Sequence, residues 1–582
     1  MAMRRGVLAL LSVAALLLPG ASTNAMATEE GQAGRFDRPR HGFAPASTVL
    51  RPGTPEQVGL DPAPIRDAER RLAEWTRVEP ATGHPLFAGA VGLLVHDGVV
   101  VDTVTAGAAV RYADGAGTEL PAGQQVPMRP DTIFDLASIS KLFTSIAVMQ
   151  LAERGELDVA APVARYLPEF GVNGKESITV EQLLTHTSGL EPFLPLWRDW
   201  PDRAARIRAV MDVAPKKAPG TAYQYSDLNL ITLGVLVERL TGSTLDEVVR
   251  ERITEPLGMT DTGYNPPASK LDRIAATEFQ ANPPRGMVRG SVHDENAWSL
   301  GGVAGHAGVF STARDLAVLG QAILNGGSYA GKRILRPDTV RAMLTNHTQA
   351  FPGDEHGLGF ELDQLWYMGA LSSPSTAGHT GYTGTSLVID PLSRSVAILL
   401  TNRVHPSRSW GSINPARQAW ATGLARALAV RPVWGADSWF SGAGNATTAT
   451  LTTAPLTPRR GPVTVSYSAF VDSESTDPLV LESSTDGTGW QPVPVRAFGR
   501  GAPHGQVDQL SGHGHRAWWH VMATVPHAEQ LQLRWRYTTD RSYTGRGVHL
   551  DGIRVVSPGG ILLDDERRRD ALIAEGWATR NR

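Results

Sequence analysis

The side chains with the clearest chemical potential in this sequence are a serine and, three residues later, a lysine. Ser138 and Lys141 begin a segment whose apolar residues recur at helical spacing, so both side chains would lie on one helix face, one turn apart. A serine hydroxyl becomes an effective nucleophile when a neighbouring base takes its proton, and a lysine amine can do so or can bias another base. A capping serine beside a surface lysine has the same spacing, so the surrounding residues must decide.

The elements around this pair indicate a mixed fold. Ser138 to Arg154 reads as a helix that Gly155 ends, and Phe87 to Gly107 reads as a strand hairpin turning at Asp97-Gly98. A second hairpin is predicted from Thr385 to Thr401, with Pro391 in its connection. Further helices are predicted at Pro62 to Trp75, Val180 to Thr185, Ile231 to Leu240 and Ala313 to Leu324. Strands at both ends with helices between them predict one α/β or α+β domain over residues 49–430.

The sequence pattern changes after Arg431-Pro432, where short strand patterns alternate with turn signals. We expect an all-β sandwich over residues 431–563, resembling a jelly roll, and a solvated tail of helix or coil over residues 564–582. Residues 28–48 lack periodicity and predict a solvated linker. Because the chemical motifs end before residue 431, we expect residues 28–430 to fold as an independent catalytic unit.

The first 27 residues have the pattern of a signal peptide. Arg4 and Arg5 precede an apolar run too short to span a bilayer, and Ala25-Met26-Ala27 offers a cleavage site. We therefore expect a secreted protein without a transmembrane anchor. The 582 residues are 42% hydrophobic and 19% charged with a formal net charge of −3, which does not favour nucleic-acid binding. The absence of cysteine excludes disulfides and thiolate chemistry.

Six segments, in order along the chain, carry a family resemblance. They are residues 132–141 (TIFDLASISK), 183–190 (LLTHTSGL), 225–227 (YSD), 255–259 (EPLGM), 305–312 (GHAGVFST) and 379–381 (HTG). The sequence resembles the serine β-lactamase and penicillin-binding-protein superfamily, closest to its class C, D,D-carboxypeptidase and esterase branch. The resemblance covers residues 49–430 and implies a β-lactamase/transpeptidase-like domain, an antiparallel sheet with helices.

The resemblance also implies roles for individual residues. Ser138 would be the acylated nucleophile with Lys141 as its partner, and Tyr225 the phenol or phenolate that moves protons to and from the leaving group. A tyrosine whose pKa is about 10 needs cations to lower it before it can act as a base near neutral pH. The backbone N–H groups of Ser138 and Tyr382 would form the oxyanion hole. Thr380, Gly381 and Arg417 would help to bind substrate, with no cofactor or metal.

Two positions depart from the family pattern. Asp227 stands where the family has Asn, and an ionised carboxylate cannot donate a hydrogen bond; it would instead hold Lys141 charged or attract a cationic substrate group. His379 stands where the family has Lys, and its charge near neutral pH would be partial. Both changes argue against a true β-lactamase, since β-lactams are held by an amide carbonyl and a carboxylate.

The leading expectation is an exported serine hydrolase that acts on a D-amino-acid peptide of cell-wall type, as a D,D-carboxypeptidase-like enzyme. The alternatives are an esterase or D-aminopeptidase, then a β-lactamase, and, in another class, a penicillin- or cell-wall-binding protein with little turnover. The expected partner is a small-molecule or peptide substrate, with peptidoglycan as one candidate; the sequence leaves the oligomeric state open. His186 is expected to pack its turn, and His293 and His306 to belong to hydrogen-bonded loops.

Overall fold

The computed structural model describes residues 34–582, so the predicted signal peptide at residues 1–27 lies outside the described residues. Within that range no helix is both long and apolar enough to cross a membrane. The helices lie between the first and last strands of the predicted hydrolase region (residues 49–430) or directly after the last one. They are α1 (Pro62–Glu74), α2 (Ser140–Glu153), α3 (Val180–Leu184), α4 (Leu196–Asp199), α5 (Arg203–Asp212), α6 (Asp227–Thr241), α7 (Leu245–Val249), α8 (Glu255–Leu257), α9 (Glu295–Ser299), α10 (Ala313–Leu324), α11 (Pro337–Met343), α12 (Leu365–Met368) and α13 (Asn414–Ala427).

Fifteen strands belong to the same region. They are β1 (Arg51–Pro52), β2 (Gly89–His96), β3 (Val99–Val110), β4 (Val126–Pro127), β5 (Phe134–Asp135), β6 (Gly263–Tyr264), β7 (Phe279–Gln280), β8 (Gly286–Met287), β9 (Val309–Ser311), β10 (Ser328–Tyr329), β11 (Lys332–Arg333), β12 (Glu361–Leu362), β13 (Ala377–Gly381), β14 (Thr385–Asp390) and β15 (Ser395–Thr401). The predicted hairpins at β2–β3 and β14–β15 are confirmed, as is the predicted α2, which begins two residues later than expected.

The central sheet has the order β1-β3-β2-β15-β14-β13-β12, with β4 beside β3. Its pairs are antiparallel apart from the short β1, which runs parallel to β3. Along β15, Val396 and Ile398 join the core that contains α10, while Ala397 and Leu399 face α1 and α13. Because both faces are covered, β15 reads as a nearly continuous apolar run rather than an alternating one.

The last part of the chain is the predicted β-sandwich. Its strands are β16 (Ser438–Phe440), β17 (Thr448–Thr453), β18 (Val463–Asp472), β19 (Leu479–Ser484), β20 (Gln491–Pro492), β21 (Val495–Phe498), β22 (Trp518–Val525), β23 (Gln532–Thr538), β24 (Gly547–Ser557), β25 (Gly560–Asp564), β26 (Leu572–Glu575) and β27 (Ala578–Arg580). One sheet has the order β21-β22-β18-β24-β16-β27, with β25 beside β24, and the other β20-β19-β23-β17-β26. Side chains alternate between core and solvent along β22, as expected for a sandwich strand.

The expectation of a helix or coil over residues 564–582 is wrong, because much of this largely exposed tail forms strands. β26 pairs with β17 and β27 pairs with β16, so the tail adds a strand to each sheet. The pairing partners lie more than 100 residues upstream. Local sequence patterns carry no information on such distant edges, which is why the charged run before β26 suggested a free segment.

The expectation of a solvated linker is also wrong where residues 28–48 are described. Phe36 is fully buried, and its backbone N–H donates to the carbonyl oxygen of Ala429 at 2.8 Å. The guanidinium groups of Arg516 and Arg546 each lie 4.3 Å from the centre of the Phe36 ring. This segment therefore packs between the hydrolase region and the sandwich, where a single aromatic residue is covered by two cations.

The contact between the hydrolase region and the sandwich includes buried polar groups as well as apolar ones such as Phe470. Arg516 forms a 2.7 Å ion pair with Asp390, and both side chains are fully buried. Arg426 of α13 donates to the carbonyl oxygen of Gly545 at 2.9 Å, and Arg546 to that of Leu428 at 2.8 Å. Separating the two regions would leave these groups without partners, which argues against the expected independence of residues 28–430.

Candidate active site

The backbone before Ser138 adopts an unusual conformation. Ala137 has a φ of 49°, a region that residues other than glycine seldom occupy. Its N–H donates to Asp135 Oδ1 at 2.9 Å, and the other oxygen of that carboxylate accepts from the backbone N–H of His293 at 2.6 Å. Residues 137–139 form one 3₁₀ turn that leads into α2. The turn leaves Ser138 partly exposed on the cleft while α2 is buried from Ser140 to Leu151.

Lys141 is almost completely buried and its ammonium group has three polar partners. Nζ donates to Ser138 Oγ at 2.8 Å and to the carbonyl oxygen of His306 at 3.3 Å, and it pairs with Asp227 Oδ1 at 2.8 Å. A lysine ammonium has three protons, so its donor capacity matches these three acceptors. The predicted contacts of Lys141 with Ser138 and Asp227 are therefore both present.

The pKa values of this cluster differ from those of the free side chains. Burial disfavours the Lys141 ammonium, but the negative charge of Asp227 and the contact with Tyr225 outweigh it and raise the Lys141 pKa. Burial raises the pKa of Tyr225 to about 12, although attraction to Lys141 and the proximity of Ser138 lower it in part. Tyr225 is therefore a phenol in the resting site, because desolvation outweighs the attraction to Lys141.

His186 places the segment that carries Tyr225. Its ring lies 4.5 Å from the Tyr225 ring, centre to centre, and its Nδ1 accepts a hydrogen bond from the backbone N–H of Ser226 at 3.1 Å. Its own carbonyl oxygen accepts from the N–H of Gln224 at 2.8 Å. Burial holds the His186 pKa well below its ordinary value, so the ring is a neutral acceptor. The expected packing role of His186 is confirmed. On the Tyr225 ring, which His186 supports, Lys141 Nζ lies 4.7 Å from the ring centre.

Strand β13 passes directly against residues 135–138, the segment that leads to Ser138. A Cβ on Gly381 would lie 2.1 Å from the carbonyl oxygen of Leu136, so only glycine fits there. Thr383 and Thr385 donate hydroxyl hydrogen bonds to the carbonyl oxygens of Asp135 and Leu136, at 2.7 and 3.0 Å. These contacts fix Thr380, Gly381 and Tyr382 beside Ser138 along one wall of the cleft.

Comparison with known proteins places this site in a family. The family profile described as "Beta-lactamase" matches residues 83–421, more than half of the chain.

The chain belongs to the beta-lactamase family. It is a serine hydrolase of that family. A "Putative D-alanyl-D-alanine carboxypeptidase" of Escherichia coli (strain K12) is 33% identical to it over 391 residues. These residues are 61% of this chain and 86% of that protein. A protein of the same description from Salmonella enteritidis PT4 (strain P125109) is 32% identical over 410 residues, 64% of this chain and 90% of its own length.

Solved structures of similar proteins cover a similar share of the chain. A penicillin-binding protein homolog from Caulobacter crescentus is 25% identical with a TM-score of 0.49, covering 63% of this chain and 99% of its own. A family VIII carboxylesterase is 23% identical with a TM-score of 0.47, covering 63% of this chain and 96% of its own.

Within this beta-lactamase family site, His379 differs from its expectation. It is buried, its Nδ1 lies 2.8 Å from the carbonyl oxygen of Thr380, and its Nε2 has no hydrogen-bond partner among the described residues. Burial, assisted by the charge of Lys141, lowers the His379 pKa to about 3. The prediction of a partial positive charge at neutral pH is wrong, because the adjacent ammonium and the lack of water both favour the neutral ring.

Arg417, which was expected to help bind substrate, contacts the backbone of the cleft wall instead. It borders the cleft, but its guanidinium donates to the carbonyl oxygens of Gly381 at 2.6 Å and Thr385 at 3.0 Å, and to Asn414 Oδ1 at 3.0 Å. These bonds tie α13 to the end of β13 and the start of β14. The side chain therefore supports the strand that forms the cleft wall.

Sequence reasoning missed two other arginines that line the cleft. Arg403 and Arg408 follow β15, and their guanidinium groups lie 4.8 and 5.8 Å from the centre of the Tyr382 ring. Arg408 pairs with Glu278 and Glu295, each at 2.5 Å, and Glu278 in turn contacts His293 Nε2 at 2.9 Å. The signal that could have found them is their position in the loop after a core strand, because such loops often carry functional residues.

Acidic and aromatic side chains complete the cleft, whose volume is about 690 Å³. Burial raises the pKa of Glu361 to about 7, against the lowering effects of Tyr367 and Arg417. Tyr223, Asp354 and Trp366 lie along the same cleft.

Three potential metal ligands lie beside the site. Ligand atoms of Asp227, Asp294 and His306 fall within 4.8 Å of one another. Asp227, however, already pairs with the Lys141 ammonium, and His306 Nε2 lies 2.9 Å from Asp294 Oδ1. The positive charge that a cation would supply is provided here by lysine, and the loop is held by hydrogen bonds, as expected for His306.

Proposed function

We propose that this serine hydrolase works through an acyl-enzyme on Ser138 and that its main substrate is a peptide ending in D-amino acids, as in a D,D-carboxypeptidase. The observation that carries the proposal is the 2.8 Å contact between Ser138 Oγ and a buried Lys141 that is paired with Asp227, next to Tyr225, at the floor of an open cleft. A protein that only bound its ligand would have no need of this proton-transfer cluster.

The protonation states define how the reaction starts. In the resting site Lys141 is an ammonium and Tyr225 a phenol, so neither can accept the Ser138 proton. Reaction requires that one proton leave the Lys141–Tyr225 pair, after which the amine or the phenolate takes the proton of Ser138 Oγ as that oxygen attacks the substrate carbonyl. The same group then protonates the departing amine or alcohol. In the second half-reaction it removes a proton from the water that hydrolyses the ester on Ser138.

The charge on the tetrahedral oxygen also needs stabilisation. The backbone N–H groups of Ser138 and Tyr382 are the donors that we propose, since β13 is fixed against residues 135–138. Strain at Ala137 is consistent with a backbone held in place for this purpose.

The free carboxylate of a D-amino-acid peptide requires a cation. His379 is neutral and Arg417 is occupied by backbone carbonyls, so neither is suited to the task. We assign it to Arg403, which borders the cleft on the side of Tyr382 and whose Nη2 makes no hydrogen bond to the described residues. Arg408 is less suited, because Glu278 and Glu295 already neutralise its charge. The guanidinium keeps its positive charge throughout the accessible pH range, so Arg403 can attract a carboxylate at any working pH.

Ester hydrolysis is the second candidate, and the neutral His379 favours it. An ester lacks the terminal carboxylate that the family's lysine would bind, and its alcohol leaves more readily than an amine. The neutral His379 should therefore weaken the binding of an ester less than the binding of a peptide.

A panel of substrates on the full-length chain separates these candidates. We expect release of D-alanine from a D-alanyl-D-alanine peptide, slower hydrolysis of a short-chain ester and the slowest turnover with a cephalosporin. Arg403→Gln should raise KM for the peptide about tenfold and leave KM for a neutral ester unchanged. Ester hydrolysis without any peptide cleavage would overturn the carboxypeptidase proposal in favour of the esterase.

Labelling with a fluorophosphonate and with penicillin tests the nucleophile and the binding-only alternative. Mass spectrometry should find the label on Ser138, and the penicilloyl adduct should disappear with time. A stable adduct with no turnover of any substrate would instead indicate a penicillin-binding protein. Export is proposed on the signal-peptide pattern of residues 1–27, and N-terminal sequencing of the exported protein should begin at residue 28.

A further inference from the structure

Three carboxylates meet at one end of the β-sandwich, far along the chain from the serine site. Glu474 and Asp477 lie in the loop from β18 to β19, and Asp540 follows β23. One carboxylate oxygen of each residue lies within 4.8 Å of the others. Both loops cross from one sheet of the sandwich to the other, so the cluster joins the two layers.

Two of these carboxylates have a buried oxygen without a partner. Asp477 is fully buried, and its Oδ2 has no hydrogen-bond partner among the described residues, while its Oδ1 accepts from the backbone N–H of Asp540 at 2.8 Å. Glu474 Oε1 is buried and lacks a partner in the same sense. Buried polar atoms in folded proteins are nearly always satisfied, so two unsatisfied carboxylate oxygens in one cluster indicate a missing positive partner.

The side chains of the described residues do not supply that partner. No lysine, arginine or histidine nitrogen among residues 34–582 lies within 4.0 Å of these three carboxylates, whereas Glu482 on the neighbouring β19 is paired with Arg534 and Arg536. Burial and mutual repulsion raise the pKa values of Glu474 and Asp477, as expected for like charges held together.

We propose that Glu474, Asp477 and Asp540 bind one Ca²⁺ ion that ties the two crossover loops of the sandwich together. The donors are all carboxylate oxygens, which hard cations prefer, and nitrogen or sulfur donors that would select zinc or copper are absent from the cluster. Ca²⁺ takes oxygen ligands at about 2.3–2.6 Å, so oxygens on opposite sides of one ion stand nearly 5 Å apart, in keeping with the spacing here. The proposal is independent of the reaction at Ser138.

Calcium content and affinity of the full chain test the site. After chelator treatment and dialysis, isothermal titration with CaCl₂ should give one site per chain, and saturating Ca²⁺ should raise the thermal midpoint by roughly 5 °C or more. Asp477→Asn and Glu474→Gln should each weaken Ca²⁺ binding at least tenfold. Glu529→Gln, an exposed acidic residue of the same sandwich, is the matched control and should leave both readouts unchanged.

Further variants show where on the chain the ion binds. If Asp477→Asn fails to fold, Glu474→Gln carries the test, because that side chain is only half-buried. Wild-type protein that binds no Ca²⁺ at millimolar concentration overturns the proposal. So does binding that survives Asp477→Asn and Glu474→Gln but is lost in Asp294→Asn, since the ion would then sit beside the serine site.

Discussion

Two pairs of a buried cation and a carboxylate differ in their access to solvent. Lys141 pairs with Asp227 at 2.8 Å, and the aspartate side chain keeps 25% of its surface exposed to the cleft. Arg516 pairs with Asp390 at 2.7 Å between the sandwich and the hydrolase region, and both side chains are completely buried. The two distances are nearly the same, yet one pair borders an open site and the other is sealed.

The difference in solvent access suits the chemistry of each cation. A lysine can lose its proton when its surroundings change, so a buried lysine can take part in proton transfer. A guanidinium stays charged throughout the accessible pH range, and Arg516 also donates to the carbonyl oxygen of Leu371 at 2.7 Å. The first pair is therefore suited to a reaction and the second to fixing one arrangement of the two regions. Variants of each region test this division.

The largest effect is expected from Ser138→Ala. Removal of the proposed nucleophile should lower kcat/KM for every substrate by at least about 10³-fold. The thermal midpoint should stay within a few degrees of wild type, because Ser138 is partly exposed and contributes little packing. Steady-state kinetics and a thermal melt of the same preparation check both statements. Undiminished activity would show that the nucleophile is elsewhere.

Arg516→Met should instead reduce stability. Breaking a buried pair leaves Asp390 charged and uncompensated, which costs about 3–5 kcal/mol. Urea unfolding should show this loss, while the protein that remains folded keeps a near-normal kcat. Arg554→Met is the control, because the Arg554–Asp564 pair is half exposed on its arginine side and should be worth at most about 1 kcal/mol.

A chain ending at Val430 tests whether the sandwich stabilises the hydrolase region. It would leave Asp390 without Arg516 and the Phe36 segment without its cover. We expect this chain to unfold at a lower urea concentration than the full protein. A soluble fragment with full-length stability would show instead that the sandwich is only attached, as the sequence alone suggests.

Asp227→Asn should change the pH dependence of the reaction. Asp227 raises the Lys141 pKa, so its removal lowers that pKa and makes the neutral amine available at lower pH. The rising limb of kcat/KM against pH should move towards lower pH by about 1–3 units. Asp294→Asn removes a nearby carboxylate that is not bonded to Lys141 and should leave the limb in place. A limb that stays fixed in Asp227→Asn would mean that the titrating group is not Lys141.

The smallest effect concerns acid stability and His379. Burial lowers its folded-state pKa to about 3, whereas the unfolded side chain titrates near 6.5, so below that pH the unfolded state binds the extra proton. Stability is therefore complete above about pH 6.5 and falls as the pH drops towards 3. When the pH falls from 7 to 5.5, the free energy of unfolding of wild type should drop by about 1 kcal/mol more than that of His379→Gln. Urea unfolding at the two pH values measures it; an unchanged loss would place the effect on other buried histidines.

The sequence by itself determined the local elements and the chemistry on offer. Helical spacing around Ser138 predicted α2, and the apolar runs at residues 385–390 and 395–401 predicted β14 and β15 with their observed limits. These signals are local, because helix and strand periodicities depend on a few neighbouring residues. The ordered motifs likewise indicated the family and the pairing of Ser138 with Lys141.

The tertiary structure decided which of those groups are charged and which are free. His379 is neutral and Tyr225 a phenol because distant segments remove water from them, and Arg417 holds the backbone of β13 and β14 because α13 packs there. The strands of the tail and the burial of Phe36 depend equally on partners far along the chain. Desolvation and pairing are sums over neighbours in space, and only the folded chain specifies those neighbours.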